Sequence, residues 1–173
     1  MKLRTAYRRW SIVTLAVGLS SLRLVADPTA SSATKIVTIA GAEALTVGFE
    51  QLASFTYSLP TTATDAKPEI PLTIRSLDQK RVAITGYMMP MHVENGLAKQ
   101  VILMRSLMTC CYGVAPNFNE YVIVTMRGDG IRPLMDTPVT FVGTLKVGET
   151  YEENYFVGIY QLDGEQVMES AAL

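Results

Sequence analysis

Only two cysteines occur in these 173 residues, and they are neighbours, Cys110 and Cys111. Adjacent Cα atoms sit ~3.8 Å apart across a trans peptide, below the ~4.4 to 6.8 Å usual for a disulfide. A bond between neighbours also closes almost no loop, so it constrains the unfolded chain little. A disulfide-stapled fold is excluded, and a packed core must hold the chain together; 49% hydrophobic and 18% charged residues are ordinary for one globular domain. Histidine occurs once, at His92. With one histidine and no Cys-x-x-Cys, thioredoxin-type chemistry is disfavoured and a nucleophilic cysteine is short of bases. Gly-rich phosphate loops, nucleophile elbows and metalloprotease helices are all missing. These absences point away from an enzyme.

Long hydrophobic runs are missing too. "SIVTLAVGLSSL" (11–22) is uncharged but has only twelve residues, whereas ~20 are needed to span a bilayer. It follows "MKLRTAYRRW", which carries Lys2, Arg4, Arg8, Arg9 and no acid. A cationic end, a short apolar core and then small residues form a secretory signal. The expectation is a leader over 1–26, cleaved between 26 and 33, and a periplasmic or cell-envelope location; the alternative is an anchoring first helix. The Arg8-Arg9 pair matches a twin-arginine signal only loosely. Removing the leader leaves ten Lys and Arg against 16 acids, a net charge of −6. An acidic exported domain is a poor partner for nucleic acid, whose phosphates demand a basic surface.

Alternation marks the strands. "RVAITGYM" (81–88) places Val82, Ile84, Gly86 and Met88 on one face. "KQVILM" (99–104) and "YVIVTM" (121–126) are apolar runs of strand length. "PVTFVGTLKV" (138–147) sets Val139, Phe141, Gly143, Leu145 and Val147 inward and Thr140, Thr144 and Lys146 outward, and "YFVGIYQL" (155–162) closes the series. Glycine within a strand marks a bend or a close backbone approach. Five strands in ~100 residues, two with central glycines, suit a small closed antiparallel barrel of the OB type. An open antiparallel sheet or sandwich is the alternative. The expected organisation is an N-terminal extension and linker over 34–69, with a strand leading into "GFEQLASF" as a short helical turn, a β domain over 70–168 and a tail over 169–173.

"IPLTIRSLDQKRVAITGYMMPM", "CCYGVAPNFNEYVIV" and "VTFVGTLKVGE" together resemble a bacterial family catalogued as domain of unknown function 3299. The resemblance runs from about "VGFEQLASF" to "YQLDG". Its most specific parts are the strand ending in Pro90 and the double cysteine followed by Gly113, Pro116 and Asn119. It implies an exported protein, in some members encoded beside membrane permeases, and it supplies no catalytic assignment. The family pattern favours an apolar residue near Met91 and does not demand a histidine like His92.

The cysteine loop is the candidate site. Thiolates and thioethers are soft ligands that suit Cu(I) or Zn, and Cys110, Cys111, His92 and Met91 are the candidate metal ligands. The plain alternative makes the methionines adaptable core filler and His92 a loop residue. Structural zinc wants four Cys or His ligands, and the chain owns three. Tyr87, Pro90, Tyr112, Gly113, Pro116 and Asn119 are the candidate binding-loop residues. Tyr87, Tyr112, Phe118 and Tyr121 form either an aromatic rim for a ligand or a cap on the barrel, while Pro116, Asn117 and Asn119 are turn formers. The functional expectation is an exported, non-catalytic binding module, serving a permease or another envelope protein or handling a soft metal ion. The alternative is a periplasmic thiol redox protein that cycles the vicinal pair.

Overall fold

The computed structural model describes residues 34–59, 68–108, 113 and 115–170. The leader, Cys110, Cys111 and Tyr112 lie outside the described residues. The protein is mostly β. Among the described residues, seven strands form one mixed sheet: β1 (Lys35–Ile39), β2 (Ala42–Val47), β3 (Arg81–Glu94), β4 (Leu97–Met104), β5 (Tyr121–Met126), β6 (Pro138–Glu152) and β7 (Tyr155–Glu169). Two single-turn helices, α1 (Phe49–Leu52) and α2 (Leu72–Arg75), lie between β2 and β3.

Two-residue turns at Ala40-Gly41, Asn95-Gly96 and Glu153-Asn154, all at positive φ, join β1 to β2, β3 to β4 and β6 to β7. This left-handed geometry matches the twist of antiparallel strands. The sheet order is β1-β2-β3-β4-β5-β7-β6, and β6 pairs a second time with β3, from Arg81↔Thr144 to Tyr87↔Pro138. The pairings therefore run from β3 through β4, β5, β7 and β6 back to β3. Within that ring only β5 and β7 are parallel.

The residues that alternation places inward on β3 and β6 do form the main core. Val82, Ile84, Met88, Val139, Phe141 and Leu145 are all buried there. The two strand glycines serve close approaches. A Cβ on Gly86 would lie 2.6 Å from the Met104 carbonyl oxygen and 2.8 Å from the Phe49 ring, and one on Gly143 would collide with the backbone at Asp163 and Gly164. At Gly143 the β6–β7 register also shifts, which adds local bend.

Alternation fails at Thr140. Expected to face solvent, it is fully buried, and its hydroxyl lies 2.8 Å from that of Thr85, its registered partner. The reason is a cover on the outer face. Ile39 and Ala44 of the β1–β2 hairpin pack on Ala83 and Val142, with Met168 alongside. The 34–69 stretch, read from sequence as extension and linker, thus contributes two strands, and Val47, Phe49, Leu52 and Tyr57 enter the main core. Arg81 fastens this hairpin, donating to the Ala42 carbonyl at 3.1 Å and pairing with Glu165 at 2.8 Å.

A continuous apolar run in β5 also has its cause in covering. Val122 and Val124 face the main core, while Tyr121 and Ile123 join Met104 in a separate cluster on the opposite face. Among the described residues no helix is long and apolar enough to cross a membrane.

Candidate functional site

The loop that carries the cysteines leaves β4 after Met104 and enters β5 at Tyr121. Its two ends are tied together. The Arg105 amide donates to the Glu120 carbonyl at 3.2 Å, and their side chains approach to 3.9 Å. Glu120 also accepts from the Asn117 backbone amide at 3.1 Å and from its side-chain amide at 2.9 Å. The foot of the loop is set by sequence chemistry: Asn bonds its own turn, and a carboxylate two or three residues on collects the free donors.

Asn119 anchors the foot to the rest of the molecule. It is buried, and its side-chain amide donates to the carbonyl of Phe55. Beside it, Phe118 packs edge-on to Phe156 at 4.7 Å between ring centres, and reaches Tyr57 at 6.3 Å and Tyr121 at 6.5 Å. Phe118 and Tyr121 thus belong to a packed aromatic group. The Tyr121 hydroxyl donates to the Val157 carbonyl at 2.7 Å, and burial pushes that phenol's pKa up. Of the other binding-loop residues, Gly113 is exposed at φ 69°, and Pro116 is half-buried.

The candidate ligands on β3 can be placed against β4, where the loop begins. The register sets Tyr87 level with Met104, where the loop begins, but Pro90 opposite Val101 and His92 opposite Gln100. Four residues of strand, roughly 13 Å, separate Gln100 from Met104. The β3–β4 register is irregular on either side of His92. Met91 and His92 are exposed, and His92 Nε2 sits 2.9 Å from a Glu94 oxygen. That hydrogen bond holds the Glu94 carboxyl below its usual pKa. Met88 and Met104 fill space: both are buried, and the Met88 sulfur accepts the Leu134 amide at 3.3 Å. Met108, at 60% exposed, is the loop thioether that reaches solvent. Among the described residues no group of three or more His, Cys, Asp or Glu is placed to hold a metal ion.

Beside the loop, the near end of the outer face of β3–β5 is apolar, before it gives way to the Gln100–Thr125 pair. Ile102 pairs with Ile123 and Met104 with Tyr121 across β4 and β5, and Met89 of β3 lies opposite Ile102. Met89, Ile102, Phe118 and Val157 are the half-covered members of this patch. Sequence reasoning picked the loop but missed the contacts that position it. The Asn119–Phe55 bond joins a side chain to a backbone carbonyl 64 residues away, and no local pattern announces such a contact. The Arg105–Glu120 closure is similarly invisible until both strand ends are known.

A crystal structure of a DUF3299 family protein from Pseudomonas aeruginosa PAO1 superposes with a TM-score of 0.51 at 18% identity, over 72% of this chain and 94% of that one. At that identity the likeness speaks for the fold alone. No curated protein matches. The family model described as "Protein of unknown function (DUF3299)" matches residues 31–169, and the chain belongs to that family.

Proposed function

We propose that the protein is an exported, non-catalytic binding module of the cell envelope, built on a closed five-strand OB-type barrel. Support for the barrel is the return of the pairings to β3 with one parallel pair, β5–β7. OB folds bind through the outer face of their second and third strands and the adjoining loops, and here those strands are β4 and β5. One observation carries the binding reading: this face presents the half-covered Met89 and Ile102, packed over the buried Ile123, beside a loop whose foot is fixed by a buried asparagine. Antiparallel sheets usually turn a polar face to water, and an apolar one marks a contact surface. A membrane permease is the partner class suggested by the family resemblance.

A photo-crosslinking residue at Ile102 in protein isolated from the cell envelope tests this. A discrete adduct from position 102, absent when the crosslinker replaces Glu43 on the β1–β2 hairpin, is expected. Equal labelling from both positions, or none from 102, would overturn it. The narrower form places a soft ion, Cu(I) or Zn(II), on Cys110 and Cys111. Titration of the reduced protein against a Cys110→Ser, Cys111→Ser double variant decides that, since equal affinities would remove the ion. Counting reactive thiols before and after mild reductant separates binding from thiol redox cycling, which requires the pair to be oxidised in one state.

A further inference from the structure

Along one of its edges, β3 changes partner partway. β6 holds the opposite edge from Arg81 to Tyr87. On the changing edge, β2 pairs with residues 82–84 and β4 takes over only at Tyr87. At Thr85 and Gly86 neither strand is alongside: β2 has turned away towards α1, and β4 has ended at Met104. The split opens a crevice of about 230 Å³, lined by Thr46, Gly48, Glu50, Thr85 and Arg105 among others. Pockets that enclose drug-sized ligands hold ~300–1,000 Å³, so this one has room for a small molecule only.

Its polar groups are left with capacity to bind. Thr140 is fully buried, and among the described residues its hydroxyl has one partner, the Thr85 hydroxyl at 2.8 Å. A buried hydroxyl keeps its proton on an acceptor, so Thr140 donates and Thr85 accepts. The Thr85 proton then turns into the crevice. Arg105 approaches Glu120 only to 3.9 Å, beyond hydrogen-bond range, which leaves its guanidinium donors open among the described residues. The Glu50 carboxylate folds back over Gly48, where an added Cβ would lie 2.8 Å from Oε2. It has no hydrogen bond or ion pair among the described residues. One cation, one hydroxyl donor and one anion thus share a small crevice without pairing with each other.

We propose that this crevice binds a free α-amino acid as its zwitterion. The ligand carboxylate accepts from the Arg105 guanidinium and the Thr85 hydroxyl, and its ammonium donates to the Glu50 carboxylate. A simple anion would leave Glu50 unmatched and a simple cation would leave Arg105 unmatched, whereas a small ligand carrying both charges answers both. The site goes beyond the β4–β5 face and does not depend on the cysteines.

Isothermal titration of the full folded chain with glycine and with L-serine tests the proposal. Saturable binding of both is expected. N-acetylglycine, which lacks the ammonium, and glycinamide, which lacks the carboxylate, should each bind at least about tenfold more weakly than glycine, the loss of one charge-assisted pair. Glu50→Gln and Arg105→Gln, both at exposed positions, should weaken glycine by a similar factor. Circular dichroism checks that each keeps the fold, and Glu50→Gln decides alone if Arg105→Gln does not. The Cys110→Ser, Cys111→Ser variant should bind glycine as the parent does, whatever the outcome of crosslinking at Ile102. No saturation by either amino acid, equal affinity for glycine and its two blocked forms, or glycine binding unchanged in Glu50→Gln would overturn the inference. Loss of binding in the double serine variant would move the site to the loop and overturn it equally.

Discussion

Gly86 and Gly143 occupy positions where a methyl group has nowhere to go. Their sequence signature, a glycine amid alternating apolar residues in two similar strands, is legible without coordinates, because only a close backbone approach or a bend tolerates it. Gly143→Ala is expected to lower stability by about 1–3 kcal/mol through overpacking against β7, measured by urea denaturation. Gly86→Ala should cost a similar amount by pushing away Phe49 and the end of β4. Thr140 and Asn119 were not legible in the same way. The burial of Thr140 depends on a hairpin nearly 100 residues earlier covering the outer face, and the burial of Asn119 depends on a carbonyl contributed by the segment after α1. Alternation reports the pleat of a strand, and it carries no information about what covers the other side.

At the scale of elements, the described foot of the loop between β4 and β5 is tied to the rest of the molecule through Asn119 and Phe118. Asn119→Ala leaves the Phe55 carbonyl without its donor and should cost about 1–2 kcal/mol. The local effect should exceed the global one, since the loop foot loses its hydrogen bond to that segment and keeps the Phe118–Tyr57 ring contact. Limited proteolysis within 105–120 is expected to accelerate, and Cys110 and Cys111 should react faster with a thiol reagent, while the midpoint of global unfolding moves modestly. Unchanged proteolysis would mean that the Arg105–Glu120 closure alone holds the loop. The strands themselves were the best-read elements: β5 has the bounds that its apolar run suggests, and β3, β6 and β7 begin where expected but run further. Their extensions, such as Met91–Glu94 and Gly148–Glu152, are half-exposed or exposed and mixed in character, so the apolar pattern fades before the pairing ends.

For the molecule as a whole, pH dependence follows from where the tyrosines lie. Burial raises the pKa of Tyr57, Tyr121 and Tyr160 above the ordinary value of 10.0. The Tyr160 hydroxyl donates to the Leu52 carbonyl at 2.9 Å, a bond that the phenolate cannot make. A raised folded pKa gives stability that is complete below the unfolded value, about 10, and is lost as pH rises above it. The melting temperature should therefore fall steeply from about pH 10 upward, with tyrosinate absorbance appearing together with unfolding. Tyr160→Phe should flatten part of that slope and cost about 1 kcal/mol at neutral pH. On the acid side, the Arg127 guanidinium hydrogen-bonded to Asp163 lowers that carboxyl's pKa. Its contribution is present above the unfolded carboxylate range and declines as pH falls through the lowered value, a small effect for a pair this exposed.

The second partnership of β6 has a consequence for synthesis on the ribosome. Residues 81–87 gain their β6 neighbours only when 138–144 are made, and 123–126 gain their β7 neighbours only when 161–164 are made, so the amino-terminal half cannot settle until the last strand has emerged. A message cut short before Pro138 would yield a polypeptide with two bare strand borders, a species prone to polymerise and a ready target for proteases.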